Sequence, residues 1–173
     1  MIGPAREMLS GLEGRVRGMV ARAIVRLVDD ARAAQEVQIE LLADESQDAV
    51  ERFQNYGFTS VPHAGSEALV VFAGGLRSHG VVLAVEDRRY RLAGLEDGEV
   101  ALFDDLGNVI KLGRERIDVI GASEVRVEAP NVLIQSNNIN LGENGGQKVA
   151  RIGDDVDLMT GKIITGSDKV RAA

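Results

Sequence analysis

The sequence predicts a mainly β chain: an N-terminal helix, an OB-fold-like barrel, and a shaft of very short strands with a distal cap. Three observations predict it. Between Asn108 and Asn144 apolar residues come in pairs two apart: Ile110/Leu112, Ile117/Val119, Val125/Val127, Val132/Ile134 and Ile139/Leu141. The step from one pair to the next is seven, eight, seven and seven residues, with Gly113, Gly121, Pro130 and Ser136-Asn137-Asn138 in the gaps. And every aromatic residue (Phe53, Tyr56, Phe58, Phe72, Tyr90, Phe103) lies in the middle of the chain.

The helix is expected over residues 1–19. Met8, Leu9, Leu12, Val16 and Met19 recur at three-and-four spacing from Pro4, a residue at home in a first turn. Gly11, Gly14 and Gly18 weaken it, so it needs a packing partner.

The barrel is expected over residues 20–105. Ile24, Val25 and Val28 favour a strand over Val20–Val28, and Asp29-Asp30 a turn. Val37, Ile39 and Leu41 alternate with Gln38 and Glu40, as in a half-buried strand. Ala68 to Phe72 is an apolar run closed by Gly74-Gly75, and Gly80–Val85, Arg89–Leu92 and Glu99–Phe103 complete the set before the turn Asp104-Asp105-Leu106-Gly107. Large aromatic side chains dominate ordinary cores, so Phe53, Phe58 and Phe72 are expected at the centre. Short strands with Gly-rich turns suit an OB-type barrel, and an SH3-like barrel shares the pattern.

The shaft is expected over residues 106–145. Spacing of two puts both members of a pair on one face of a strand. A coiled coil needs spacings of three and four, which the pairs lack. A β-meander would carry the same pairs, but a β-solenoid accounts better for the regular step. Five short rungs without an aromatic residue have little core in one chain and open edges on every rung. Both problems vanish if several copies wind about one axis. The ten paired residues, Ile110 to Leu141, then face that axis, with Lys111, Arg114, Glu115, Arg126 and Glu128 outward.

The cap is expected over residues 146–173, after a Gly-Gly turn. Val156, Met159 and Ile163 alternate with the turn sequences GDD, TGK and TGSD. A last rung is otherwise an open template, so an array needs such an end.

Composition narrows function. The net charge of −7 opposes nonspecific binding to nucleic acid or anionic lipid. There is no cysteine, hence no thiolate metal site. No apolar run is long enough to span a bilayer, and the charged, Gly-interrupted start is unlike a secretory signal, so synthesis in a cytoplasm is expected. The two histidines, His63 and His79, have no accompanying nucleophile motif, and Gly74-Gly75 lacks the Lys and following helix of a phosphate loop. Arg88-Arg89-Tyr90-Arg91 is the one basic stretch suited to a nucleic-acid groove, and it is short. Arg88, Arg89 and Arg91 are read instead as a contact to another chain.

The chain resembles the baseplate assembly protein V family of contractile-tailed phages, the central spike of Mu-like phages. The resemblance rests on RVRGMVARAIVRLVDD (Arg15–Asp30), VERFQNYGFTSVP (Val50–Pro62), the stretch Gly80–Arg91 ending in VEDRRYR, and the repeats with their GDDVD…TGKIITGS ending. It implies a homotrimer whose barrel attaches to the tail hub and other baseplate proteins. The shaft is then an intertwined triple-stranded β-helix, tapering to an apex that pierces the host outer membrane on sheath contraction. Related type VI secretion spikes share the design. The resemblance implies a virion component at the baseplate tip, assembled in the host cytoplasm, without catalysis, cofactor or nucleic acid. Arg88, Arg89 and Arg91 would meet the hub or a neighbouring chain. Several relatives hold an apical metal through a His-x-His pair, which is missing here. Asp154, Asp155 and Asp157 could offer oxygen ligands to a hard cation, but a solvated acidic turn explains them as well. The alternative function is a carbohydrate-binding or carbohydrate-cleaving solenoid. It would need exposed aromatic platforms, and none exists after Phe103.

Overall fold

A computed structural model describes residues 4–41, 45–142 and 147–172, and of residues 4–10 the backbone alone. The Gly-Gly turn at 145–146 and the side chains of Met8 and Leu9 lie outside the described part. The chain divides into two compact units, Met1–Val125 and Arg126–Ala173.

The first unit begins with α1 (Pro4–Arg17), with Pro4 in its first turn. It ends at Gly18, whose N–H donates to the Gly14 carbonyl. Leu12 and Val16 are about 60% exposed, so the described part of the helix's apolar stripe is uncovered by its own chain. The helix instead meets the chain end-on. Arg15 donates to the Gly74 carbonyl at 3.1 Å, in the turn Ala73–Gly75.

Five strands follow: β1 (Val20–Asp29), β2 (Gln35–Leu41), β3 (Glu45–Arg52), β4 (Glu67–Phe72) and β5 (Gly80–Glu86). They close a barrel in the order β1-β2-β3-β5-β4, antiparallel except for β3 with β5. Five strands in this order fit an OB-like barrel. In β2 every second residue is buried, Gln35, Val37, Ile39 and Leu41, as the alternation demands. Val25, Val37, Ile39, Val70, Phe72 and Val82 are almost wholly shielded from solvent and form the core with Ala23, Leu41, Val50 and Ala68.

Three expectations are corrected here. Phe72 is the one aromatic residue in that core; Phe53 and Phe58 are exposed, because both lie in the loop after β3. The residues Arg89–Leu92 form a turn and loop rather than a strand. Arg89 folds back on Asp87, donating to its carboxylate from both backbone and side chain. Finally, the strand near residues 99–103 does not join the barrel. The fifth barrel strand is β3, which sequence patterning passes over: in ESQDAVER only Val50 is buried.

The strand at 100–103 opens a separate antiparallel sheet, β6 (Val100–Phe103), β7 (Val109–Leu112) and β8 (Ile117–Ile120). Asp104 shapes the first turn by accepting the N–H groups of Leu106 and Asn108 at 3.0 and 2.9 Å. In the second unit β9 (Ile139–Leu141), β10 (Gln147–Lys148) and β11 (Val170–Ala172) form a sheet with β11 in the middle. It runs parallel to β9 and antiparallel to β10. Val156 and Ile163 bridge the two arms of a hairpin.

Candidate functional site

In the β6-β7-β8 sheet the register sets Val100 opposite Leu112, Leu102 opposite Ile110, Ile110 opposite Val119, and Leu112 opposite Ile117. Paired residues share a face. Val100, Leu102, Ile110, Leu112, Ile117 and Val119 therefore make one apolar face, and each of the six is 45–64% exposed. The opposite face carries Lys111 between Ala101 and Asp118, and beside that row Val109 between Phe103 and Ile120, with Lys111 paired to Glu99 at 2.9 Å. Within one chain Lys111 and Asp118 are better covered than those six, although Phe103 and Ile120 on their own face are also exposed. Val100 and Leu102 belong to this surface but were assigned to the barrel on sequence. Their own two-apart spacing was the signal that placed them with the later pairs.

Val125, Val127, Val132 and Ile134 are also exposed, at 52–72%. They form no strand within the chain, and among the described residues no backbone–backbone hydrogen bond reaches residues 123–137. A segment whose N–H and C=O groups have no backbone partner is a template for strand addition. Farther on, Ile139 is half-buried and Leu141 exposed in β9.

Of the apex residues, Val156 and Ile163 are brought together by the bridge, about half exposed, while Met159 is 97% exposed. Ile152 and Leu158, which the sequence did not single out, are exposed as fully. The turns that carry them are fixed by carboxylates. Asp157 accepts the N–H groups of Met159 and Thr160, and these bonds hold its carboxyl below the usual range. Asp154, with a nearly buried side chain, pairs with Arg151 at 3.0 Å and accepts its N–H; the guanidinium lowers the Asp154 pKa most. Asp155 enters through its backbone: its N–H donates to Thr165 and its carbonyl accepts from Ile164. Among the described residues no cluster of three His, Asp or Glu side chains is arranged to hold a metal.

Arg88, Arg89 and Arg91 are each paired with a carboxylate of their own chain. Arg88 meets Glu67 at 2.7 Å, Arg91 meets Glu86 at 3.4 Å, and Arg89 meets Asp87 at 2.5 Å. Arg89 also donates to the Ala64 carbonyl, and Asp87 accepts from Ser66, so the pair ties two loops of the barrel. Arg89, foremost, holds the Asp87 carboxyl far below the ordinary carboxylate range. Glu67 lies on another strand, whereas Asp87 and Glu86 immediately precede the arginines, and the expectation of an outside contact overlooked both. His63 pairs with Asp105 at 3.1 Å and touches the Tyr90 ring, in a cleft of about 530 Å³.

Residues 22–89 match the family described as Bacteriophage Mu Gp45, N-terminal. The chain is 43% identical over 122 residues to the baseplate puncturing device gp45 of Escherichia phage Mu, a match covering 70% of this chain and 62% of that protein. It is 40% identical over 134 residues to the Mu-like prophage FluMu protein gp45 of Haemophilus influenzae, covering 78% and 73%. The chain belongs to the Mu gp45 family. The gp45 profile match runs from within β1 to just past β5, and so takes in the barrel and the block Val50–Pro62. The apolar sheet face and the apex lie beyond that stretch.

Proposed function

We propose that this chain is the homotrimeric central spike of a contractile-tail baseplate and pierces the host outer membrane when the sheath contracts. The observation that carries the reading is the uncovered face of Val100, Leu102, Ile110, Leu112, Ile117 and Val119, followed by a segment with no backbone partner among the described residues. Contiguous apolar surface of this kind marks an interface. Burying a large aliphatic side chain contributes about 1.5–3 kcal/mol, so three copies of the face supply a substantial driving force. Three chains wound together give residues 123–137 their missing hydrogen bonds and leave no edge along the shaft. The ten paired residues from Ile110 to Leu141 then fill the axis.

The relative named a baseplate puncturing device supports the location and the mechanical role. The barrel faces the tail hub and other baseplate proteins, with Arg88, Arg89 and Arg91 at that junction. The shaft is a triple-stranded β-helix. The turns bearing Val156, Met159 and Ile163 form its cap, at the end that meets the host outer membrane. The protein assembles in the host cytoplasm and acts in the virion without catalysis, cofactor or nucleic acid. Light scattering on the purified protein tests the reading: a mass of three chains is expected, and a stable folded monomer overturns it.

A further inference from the structure

The loop between β3 and β4 is the part of the barrel its core does not use. From Phe53 to Pro62 it carries no charge, in a chain of net charge −7. Phe53 and Phe58 are 59% and 60% exposed, and Tyr56 is fully so. The loop is nevertheless firmly held. Arg52 donates to the Ser60 carbonyl at 2.6 Å, to the Ser60 hydroxyl at 2.9 Å and to Gln35 Oε1 at 2.6 Å. Buried Gln35 donates to the same Ser60 carbonyl and to Asp30. Gln54 accepts the Ser60 N–H at 2.8 Å, and the Phe58 N–H closes on the Asn55 carbonyl at 3.0 Å. Aromatic side chains on a fixed loop lose little freedom when they bind, the condition for an energetic hot spot.

Phe53 and Phe58 line an open groove of about 660 Å³ with Leu83, Leu102 and Phe103. Leu102 is also a member of the uncovered β6-β7-β8 face. The apolar surface of the loop therefore continues onto the sheet, and a molecule that covers Leu102 from the sheet side comes up against the groove. Copies of an acidic chain repel one another, and an uncharged ten-residue loop lets them approach without adding to that repulsion.

We infer that the occupant of this groove is a second copy of the same chain, so that the aromatic loop joins the barrels of the assembly to one another. The inference rests on the trimeric reading above. In a closed three-fold ring each interface is heterologous, and the loop of one copy meets a different surface of the next. The barrels are then bound directly and not merely through the shaft.

The chain has no tryptophan, so Phe58→Trp in the full-length protein places a single reporter in the loop. In the purified assembly the indole is expected to emit to the blue and to resist acrylamide quenching several-fold better than after dissociation by denaturant at low concentration. The double variant Phe53→Ser/Phe58→Ser is expected to dissociate at a concentration higher by about tenfold or more, with an unchanged far-ultraviolet spectrum. A wild-type trimer whose introduced indole is freely quenched overturns the inference and leaves the spike standing. A monomeric wild type overturns the trimeric reading beneath it. Protection that appears only in assembled tails gives the groove to another baseplate protein and also overturns the inference.

Discussion

Ile110 and Val119 stand directly opposite each other on β7 and β8, and both are about half exposed. Their neighbours Lys111 and Asp118, opposite each other on the other face, are the better covered pair. A free sheet would present its charges to water and hide its aliphatic side chains, so the pair points at a missing partner. Val119→Asp in every copy brings three carboxylates to one level near the axis, where burial without counter-charge is costly. Light scattering is expected to find monomers. The barrel, whose core the substitution does not touch, should stay folded, with an unchanged far-ultraviolet spectrum, while losing whatever stability assembly contributes. A trimer of unchanged stability means that this face looks outward.

The contrast between Phe72 and Phe53 gives a second test, best made in the Val119→Asp background where assembly does not contribute. Phe72 is wholly buried among Val25, Ile39, Val70 and Val82, and Phe53 is 59% exposed. Phe72→Ala is expected to lower stability by about 3–5 kcal/mol, the range for deleting a core phenyl group. Phe53→Ala should stay within about 0.5 kcal/mol, as for an exposed side chain. Urea denaturation measures both, and equal losses return Phe53 to the core.

That contrast also marks where the sequence was legible. Alternation located β2 correctly because Val37, Ile39 and Leu41 all turn inward. The apolar run from Ala68 to Phe72 was legible from its length, and the pairs in β7, β8 and β9 from their two-apart spacing, although those pairs stay largely exposed within one chain. β3 was not, since a barrel strand with one buried side chain looks like a polar loop. Arg89-Tyr90-Arg91-Leu92 alternates like a strand, but its backbone is bent by the pull of Asp87 on Arg89. Aromatic content says that a segment can be buried without saying which residues are, hence the misplaced Phe53 and Phe58. Over residues 110–141, spacing fixes which side chains share a face but not what covers that face. At Arg88 the missing information was tertiary, since Glu67 lies on a different strand, whereas Arg89 and Arg91 pair with the neighbouring Asp87 and Glu86. At the apex, Ile152 and Leu158 sit in turns, where no period exists to flag them.

The helix junction yields a third prediction. Gly75 has φ +72°, and a Cβ there would fall 2.4 Å from the Arg15 carbonyl oxygen. Gly74 has φ +62°, but its nearest neighbour is the flexible end of Arg15, at 3.7 Å. Both alanine variants carry backbone strain, of the order of 1–3 kcal/mol. Gly75→Ala alone must also push α1 off the turn. Proteolysis of the N-terminal segment should rise sharply in Gly75→Ala and little in Gly74→Ala. Equal protection in the two variants disproves the close approach.

Acid sensitivity follows from Asp87. Its carboxyl is held below the ordinary value first by Arg89, with Ser66 assisting. The folded state therefore favours the ionised form. The stability this contributes is complete above the ordinary aspartate pKa of about 3.9, and is lost as the pH falls toward the lowered folded value. Asp87→Asn should be less stable than wild type at neutral pH, with the gap closing progressively below about pH 4. Denaturation midpoints across that window measure it. A constant gap at all pH values would mean that the side chain acts by packing rather than charge.

The apex separates three neighbouring carboxylates by what each one holds. Asp154 is nearly buried against Arg151 and Thr165, and its carboxylate accepts the Arg151 N–H at 2.6 Å. Asp157 fixes the turn that presents Leu158 and Met159. The structure uses the backbone of Asp155 rather than its side chain. Removing a charge-assisted bond costs more the better the group is shielded. Asp154→Ala should therefore loosen the hairpin joined by Val156 and Ile163, with Asp157→Ala close behind and Asp155→Ala nearly silent. Hydrogen exchange at the Ile164 N–H, which bonds the Asp155 carbonyl, reads the loosening directly. If stiffness of these turns is what the spike needs, infectivity should follow the same order. Should Asp155→Ala abolish infectivity while exchange at Ile164 is unchanged, the side chain has a ligand or contact at the tip, and shape alone does not account for the apex.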